Sequence, residues 1–372
     1  DRRDRAPAAA GGGTGLTPAS GEPLRVGLIG YGLAGSAFHA PLVEAVPGLS
    51  LASVVSSNPE RAEQARAAHP GVEVLPDADA LLSAAGSHDL VVVAAPNRAH
   101  VPLGLAAVEV GLHLVVDKPL AANVADAKRL ADAAEARGVV ASVFHNRRWD
   151  GDFLTLRRLL GEGALGELVR LESRFDRWRP EVDRSRWREG GGPEDAGGVL
   201  FDLGPHLIDQ ALELLGPAVS VYAEVRRLRP GAEVDDDIFL ALEHSSGARS
   251  HLSATMLAAQ PGPRLRALGS RAAYVKWGLD VQEQALRSGA RPRDPGFGEE
   301  PPEAWGLLGG EEDARPVETA EGRYVEFYEQ VERAIRSRGH EPPPVPLEAG
   351  IAALRVIEAA QASAAQGVVV PL

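Results

Sequence analysis

The sequence predicts an α/β protein in two parts: an N-terminal Rossmann-type, doubly wound parallel sheet, and a C-terminal α+β unit on a large, mostly antiparallel sheet with one open face. Three observations predict it. From Leu24 to Phe144 near-continuous apolar runs alternate with helical segments, which is the pattern of strands buried on both faces. After Asp150 the strands alternate apolar with polar residues and follow one another with few helices between. The length of 372 residues exceeds what one hydrophobic core ordinarily serves.

In the first part the expected strands are Leu24–Ile29, Leu51–Val55, Val72–Leu75, Leu90–Ala95, Leu112–Val116 and Val139–Phe144. Helices are expected over Pro59–His69, Ala78–Ala85, Ala99–Val110 and Val124–Arg137, the last capped by Asn123 and ended by Gly138. In the second part a helix at Phe153–Leu160 precedes a strand in which Val169, Leu171, Ser173 and Phe175 share a face. A strongly apolar helix, Gly198–Leu215, follows. Strands come next at Val219–Leu228, Asp237–His244, Ala248–Met256, Leu265–Leu268 and Ala272–Trp277. Gly289–Gly310 reads as a surface loop, and helices near Tyr324–Ser337 and Leu347–Ala365 close the chain. The boundaries are a disordered tail over residues 1–22, a dinucleotide-binding domain over 23–148, and a substrate and oligomerisation domain over 149–372. Arg2 and Arg3 are not followed by the apolar stretch of an export signal.

Composition narrows the chemistry. Cysteine is absent, which removes disulfides, thiolate metal sites and cysteine nucleophiles. A net charge of −13 speaks against a nucleic-acid partner, and no apolar run reaches the length of a membrane span. A cytoplasmic enzyme of small molecules is expected. Only three of the 39 basic Lys and Arg residues are lysine: Lys118, Lys128 and Lys276. A lysine that persists in such a chain is informative, because a titratable amine is what arginine cannot supply.

The chemistry-bearing motifs begin at Gly30-Tyr-Gly32-Leu33-Ala34-Gly35, directly after a strand and opening a helix. Gly30 permits a tight turn, Gly32 lets a pyrophosphate approach the backbone, and Gly35 allows the helix close to the strand. At the next strand tip, Ser56-Ser57-Asn58 carries no carboxylate for a ribose hydroxyl. Arg61 lies four residues on, so NADP is favoured over NAD. Ser57 or Asn58 also suits a helix cap. Ala95-Pro96-Asn97 with His100, and Asp117-Lys118-Pro119, end later strands at the edge where ligands bind in such sheets. Asp202 and His206 are spaced i, i+4 on an apolar helix, as a helical ion pair or as a carboxylate orienting a proton-transferring imidazole.

The glycine turn, Pro96-Asn97-x-x-His100, x-Lys118-Pro119 and Gly197-Gly198-x-x-x-Asp202-x-x-x-His206 together resemble the glucose–fructose oxidoreductase/inositol dehydrogenase (Gfo/Idh/MocA) family. The resemblance covers nearly all of the chain after the tail. It implies a nicotinamide-dependent oxidoreductase with Lys118, Asp202 and His206 as its catalytic set. One departure is Asp117, where the family usually carries Glu. The segments Tyr31–His39, Ser142–Asp150, Arg179–Val182 and Arg186–Arg188 are similar to the subgroup that contains NADP-dependent scyllo-inositol 2-dehydrogenase. A cyclic polyol or sugar is the implied substrate. Within the same resemblance, a cofactor-bound regulator without turnover and a nicotinamide-assisted glycosidase remain alternatives.

The cluster His145-Asn146-Arg147-Arg148-Trp149, at the junction of the two parts, is expected either to contact a sugar, with Trp149 stacking on it, or to form a hinge ion-pair cluster, and Arg177 is a further substrate candidate. His69, His88 and His244 are read as surface residues. Asp235-Asp236-Asp237 lacks the spacing of a calcium loop and is read as a solvated turn, so no metal site is expected. An open sheet face too apolar to stay bare predicts a homodimer or homotetramer through the C-terminal sheet.

Overall fold

The computed structural model describes residues 21–183, 189 and 195–372. Nearly all of the expected tail, and the Arg186–Arg188 segment, lie outside the described residues. The first sheet contains β1 (Leu24–Ile29), β2 (Leu49–Val55), β3 (Glu73–Leu75), β4 (Leu90–Val93), β5 (His113–Asp117) and β6 (Ala141–Phe144), all parallel, in the order 3-2-1-4-5-6. Every residue of β4 is buried, as strands covered by helices on both faces must be. Asn123 accepts from the Asp126 amide at the start of the helix Val124–Arg137, and Gly138 ends it in the left-handed conformation at φ 64°.

The second sheet has nine strands. They are β7 (Leu168–Asp176), β8 (Ala218–Arg226), β9 (Asp237–His244), β10 (Arg249–Thr255), β11 (Leu265–Gly269), β12 (Ala273–Lys276), β13 (Gly306–Gly309), β14 (Arg315–Val317) and β15 (Val370–Pro371). The order is 14-13-12-11-7-10-9-8-15, antiparallel except where β7 meets β10. Its inner face, including Leu171, Phe175, Leu240, Leu252 and Val221, packs under the helices Gly204–Leu215 and Leu347–Gln366. The second of these helices also lies against β6, and the Ser142 hydroxyl donates to the Val345 carbonyl at 2.8 Å. The last turn of sequence is thereby tied to the first sheet.

Three expectations change. Part of the Gly289–Gly310 loop is β13, which short apolar content over four residues did not announce. Val169 stands exposed at the start of β7 instead of sharing the buried face. The open face is not a bare apolar surface: strand alternation puts Arg170, Glu172 and Arg174 of β7 on it, and Arg266 of β11 reaches Glu172 at 3.3 Å.

Candidate active site

The glycine turn has the geometry its spacing requires. Gly30 sits at φ 103°, and a Cβ there would overlap the Ala94 carbonyl oxygen. A Cβ on Gly35 would overlap the Gly30 carbonyl, so only glycine lets this helix start so close to β1. Gly32 faces open space, its nearest neighbour being Arg61 Nη1 at 3.8 Å from a Cβ placed there. An open backbone cradle beside a guanidinium fits the phosphates of a dinucleotide. The helix opens with a wide π-helical turn, Ala34–His39, and the Ser36 hydroxyl donates to the Gly32 carbonyl at 2.8 Å. π-Turns insert one residue into a helix and occur often at functional sites.

Across a cleft of about 410 Å³, Leu33, Ala34 and Phe38 of this turn face the tip of β5 and the second unit. The apolar helix expected over Gly198–Leu215 is broken at Leu203, just before Pro205, into Val199–Asp202 and Gly204–Leu215. The break leaves Asp202 at the end of the first piece. There its carbonyl oxygen accepts from Lys118 Nζ at 2.6 Å and its carboxylate from the same amine at 3.1 Å. The other carboxylate oxygen lies 3.8 Å from Arg177 Nη1. His206 begins the second piece, buried, with no hydrogen-bond partner on Nδ1. Burial first, then the positive charges of Lys118 and Arg147, hold its pKa well below the ordinary value, so the ring is neutral.

The Asp117 carboxylate, at the β5 tip, accepts from the Lys118 amide at 2.8 Å. Burial opposes its charge, but His39 at 3.9 Å, with Lys118 and His100, outweighs burial and brings its pKa to about 2. The shorter acid of this chain is therefore an ionised group beside the lysine. Lys118 and Pro119 are joined by a cis bond.

The family description "Oxidoreductase family, NAD-binding Rossmann fold" matches residues 24–145, and "Oxidoreductase family, C-terminal alpha/beta domain" matches residues 157–372. The chain belongs to the Gfo/Idh/MocA oxidoreductase family. It is 44% identical to the oxidoreductase YdgJ of Escherichia coli K12, covering 91% of this chain and 95% of that one. It is 35% identical to the scyllo-inositol 2-dehydrogenase (NADP(+)) IolW of Bacillus subtilis 168, covering 92% and 94%. Among solved structures, the oxidoreductase YPO2259 of Yersinia pestis superposes with a TM-score of 0.87 at 39% identity, covering 96% of this chain and 99% of that one. The protein is an oxidoreductase with a nicotinamide-binding Rossmann domain. No described helix is long and apolar enough to cross a membrane.

Within this Gfo/Idh/MocA chain several expected contacts are spent elsewhere. Asn97 donates its amide to the Asp195 and Ala196 carbonyls, each at 3.1 Å, and so ties the strand tip to the second unit. His100 lies between the carbonyls of Pro119 at 2.7 Å and Ala95 at 2.9 Å. Both side chains brace the segment that follows Ala95 and Pro96, and neither lines the cleft; the two ring nitrogens of His100 and the amide nitrogen of Asn97 are committed to carbonyls. Asn58 caps the helix after β2, accepting from the Arg61 amide at 3.0 Å, and Ser56 donates to the Asn58 carbonyl, while Ser57 stays exposed.

The junction residues are corrected. Trp149 is buried edge-on against Phe327, centroids 5.7 Å apart, and does not line the cleft. Arg148 makes a bidentate pair with Asp209 at 2.9 and 2.7 Å and reaches Glu213 at 3.0 Å. The hinge ion-pair alternative accounts for Arg148, and Trp149 packs in the core beside it. Asp235-Asp236-Asp237 is not a solvated turn. Asp235 caps the helix Val199–Asp202 through the Leu200 amide, lines the cleft, and is raised by burial to about 6. Asp236 is buried against Arg229 at 3.0 Å. His69, His88 and His244 are buried too, bonded to Tyr31, Ser53 and Ser250. Among the described residues no cluster of His, Asp and Glu suits a metal ion.

Of the junction cluster, Asn146 and Arg147 do line the cleft, whereas sequence reasoning missed Arg179, Arg229, Glu189 and Glu283 on its wall. Each is one charged residue among many in the chain. Only the strand-end position of Arg179, two residues past Arg177, could have signalled it.

Proposed function

We propose that the protein is an NADP-preferring dehydrogenase that reversibly oxidises a secondary hydroxyl of a cyclic polyol or sugar of the scyllo-inositol kind. The observation that carries the reading is the Lys118 amine bonded to Asp202 in a cleft that also holds a neutral His206 and the open glycine turn. A bound nicotinamide supplies the hydride acceptor. His206, kept neutral by burial and nearby cations, takes the hydroxyl proton. Lys118 donates a hydrogen bond to the oxygen as it gains negative charge. The carboxylate of Asp202 is turned to Lys118 and Arg177, so its work is to fix the lysine amine and not, as the spacing suggested, to orient the imidazole. Arg177 lines the substrate side.

NADP preference is supported by the absence of a carboxylate at Ser56-Ser57-Asn58, by Arg61 beside Gly32, and by the relative IolW. The same reading includes self-association as a homodimer or homotetramer through the open sheet face, where Tyr222 and Phe239 stand among charged residues such as Arg170 and Glu172, and light scattering checks it. The test of the activity is a panel of inositols and aldoses with NADP and NAD, read at the absorbance band of the reduced nicotinamide. Turnover of a cyclic polyol with higher kcat/KM for NADP is the expected result. No reduction of either cofactor, or preference for NAD, would overturn it.

A further inference from the structure

The short stretch after β7 is held as an extension of the sheet. The Arg177 amide donates to the Thr255 carbonyl at 3.0 Å, the Arg179 amide to the Met256 carbonyl at 2.8 Å, and Trp178 bridges to Leu257. In extended chain, alternate side chains share a side. Arg177 and Arg179 therefore both reach the cleft, while the ring of Trp178 stays in solvent, 56% exposed.

The cleft's other arginines are neutralised by the protein itself. Arg147 has Glu283 at 2.6 Å and Asp150 at 3.3 Å. Arg229 has Asp236 at 3.0 Å and Glu189 at 3.2 Å, and Arg287 has Glu283 at 3.5 Å. Arg177 differs: among the described residues its nearest carboxylate is Asp202 at 3.8 Å, beyond hydrogen-bond length and already accepting from Lys118. Among the described residues, the Arg179 guanidinium makes no ion pair and no hydrogen bond.

Two guanidinium groups in a partly enclosed cleft, without close counter-ions among the described residues, repel each other. Burial, the main cause, with Arg179 and Arg147 adding to it, lowers the pKa of Arg177 against the pull of Asp202. The cofactor's phosphates do not explain the pair. The glycine turn and Arg61 serve those on the first unit, whereas Arg177 and Arg179 lie on the second. The arginine fork matches the two or three oxygens of a carboxylate or phosphate and binds them by paired, charge-assisted bonds.

We propose that the substrate of this cleft carries an anionic group, a carboxylate or a phosphate, gripped by Arg177 and Arg179 while its ring hydroxyl lies at Lys118 and His206. The inference rests on the dehydrogenase reading and narrows its substrate class to sugar acids or to phosphorylated sugars and polyols. It also makes Arg179 a specificity-determining residue.

The experiment compares glucose, glucuronate and glucose 6-phosphate on the NADP-saturated enzyme, both as substrates and as ligands in calorimetry. Wild type, Arg179→Gln and Arg179→Lys are used. Because the Arg179 side chain bonds to no other described residue, both variants should fold. At least one anionic probe should exceed glucose in kcat/KM by about tenfold or more, the size of one or two charge-assisted bonds. Arg179→Gln should erase that advantage, with the anionic probes losing about tenfold more than glucose, and Arg179→Lys should restore part of it. Preference for glucuronate alone identifies a carboxylate, and for glucose 6-phosphate alone a phosphate. Equal kcat/KM for the three probes, or an equal loss on all three in Arg179→Gln, overturns the proposal and leaves the dehydrogenase reading standing. Anion binding that disappears in Arg179→Gln, without turnover of any probe or neutral polyol, upholds the anion site and overturns the dehydrogenase reading. Absence of both turnover and anion binding overturns both.

Discussion

The two sheets face one cleft but furnish it by different means. The parallel sheet contributes mainly backbone: three glycines, a strand-to-helix turn and strand tips whose polar side chains are bonded to carbonyls. The nine-stranded unit contributes charged side chains, several held by partners far away in sequence, such as Arg229 with Glu189, or Glu283 with Arg147 of the junction. A backbone site needs only local geometry to be correct. A side-chain site needs the whole second unit assembled first, because each charge must be desolvated opposite its own partner. Lys118 joins the two, carried by β5 and bonded to Asp202 of the second unit.

If that contrast holds, damage to the two kinds of structure should look different. The largest effect is expected at the hinge pair. Arg148→Ala leaves Asp209, 3% exposed at the side chain, without its bidentate partner, a loss worth about 3–5 kcal/mol for a buried pair. The melting temperature should fall by several degrees while the order of substrate preference stays the same. A changed substrate preference without a loss of stability would return Arg148 to the substrate site.

Next in size is Lys118→Arg. NADP affinity, measured by fluorescence titration, should survive, because the glycine turn is untouched. Turnover should drop roughly 10²-fold, since arginine is bulkier and cannot tune its charge against the alkoxide. Near-normal turnover would reduce the lysine to a replaceable positive charge.

A smaller change is expected from Ser57→Asp at the β2 tip. A carboxylate there repels a 2′-phosphate and can bond a 2′-hydroxyl, so the NADP-to-NAD ratio of kcat/KM should fall by about tenfold. Thermal stability should not move, because Ser57 is exposed. An unchanged ratio would remove this strand tip from cofactor selection.

The subtlest test is the pH profile of His206. Its folded pKa lies below 6.5, so the base stays unprotonated through neutrality. The acid limb of kcat/KM for alcohol oxidation should then appear only below pH 6.5, with activity lost as pH falls and the ring gains a proton. His206→Asn should abolish that limb together with most of the rate. A limb that persists in the variant would assign it to another group.

Local sequence signals carried much of the fold. Near-continuous apolar strands gave the parallel sheet, Asn123 and Gly138 bounded their helix, and the spacing of Gly30, Gly32 and Gly35 described their surroundings before any contact was known. Elements set by pairing were harder to see. The four-residue strand β13 exists because β12 and β14 lie on either side of it. The break at Leu203 was signalled by Pro205, but an apolar pattern that runs through it reads as one helix.

By itself the sequence determined which residue types stand at the tips of the first sheet, and it brought Lys118, Asp202 and His206 forward as a set. Only the tertiary structure decided what each charge faces. It gave Asp202 to Lys118, Asn97 and His100 to backbone carbonyls, Arg148 to Asp209 and Trp149 to Phe327, and among the described residues it left Arg179 without a counter-ion. The physical reason is range. Backbone conformation and periodicity are written within a few residues. Ion pairing and burial depend on which distant strands and helices meet, and in a chain this rich in arginine one-dimensional spacing does not distinguish a paired guanidinium from one without a partner.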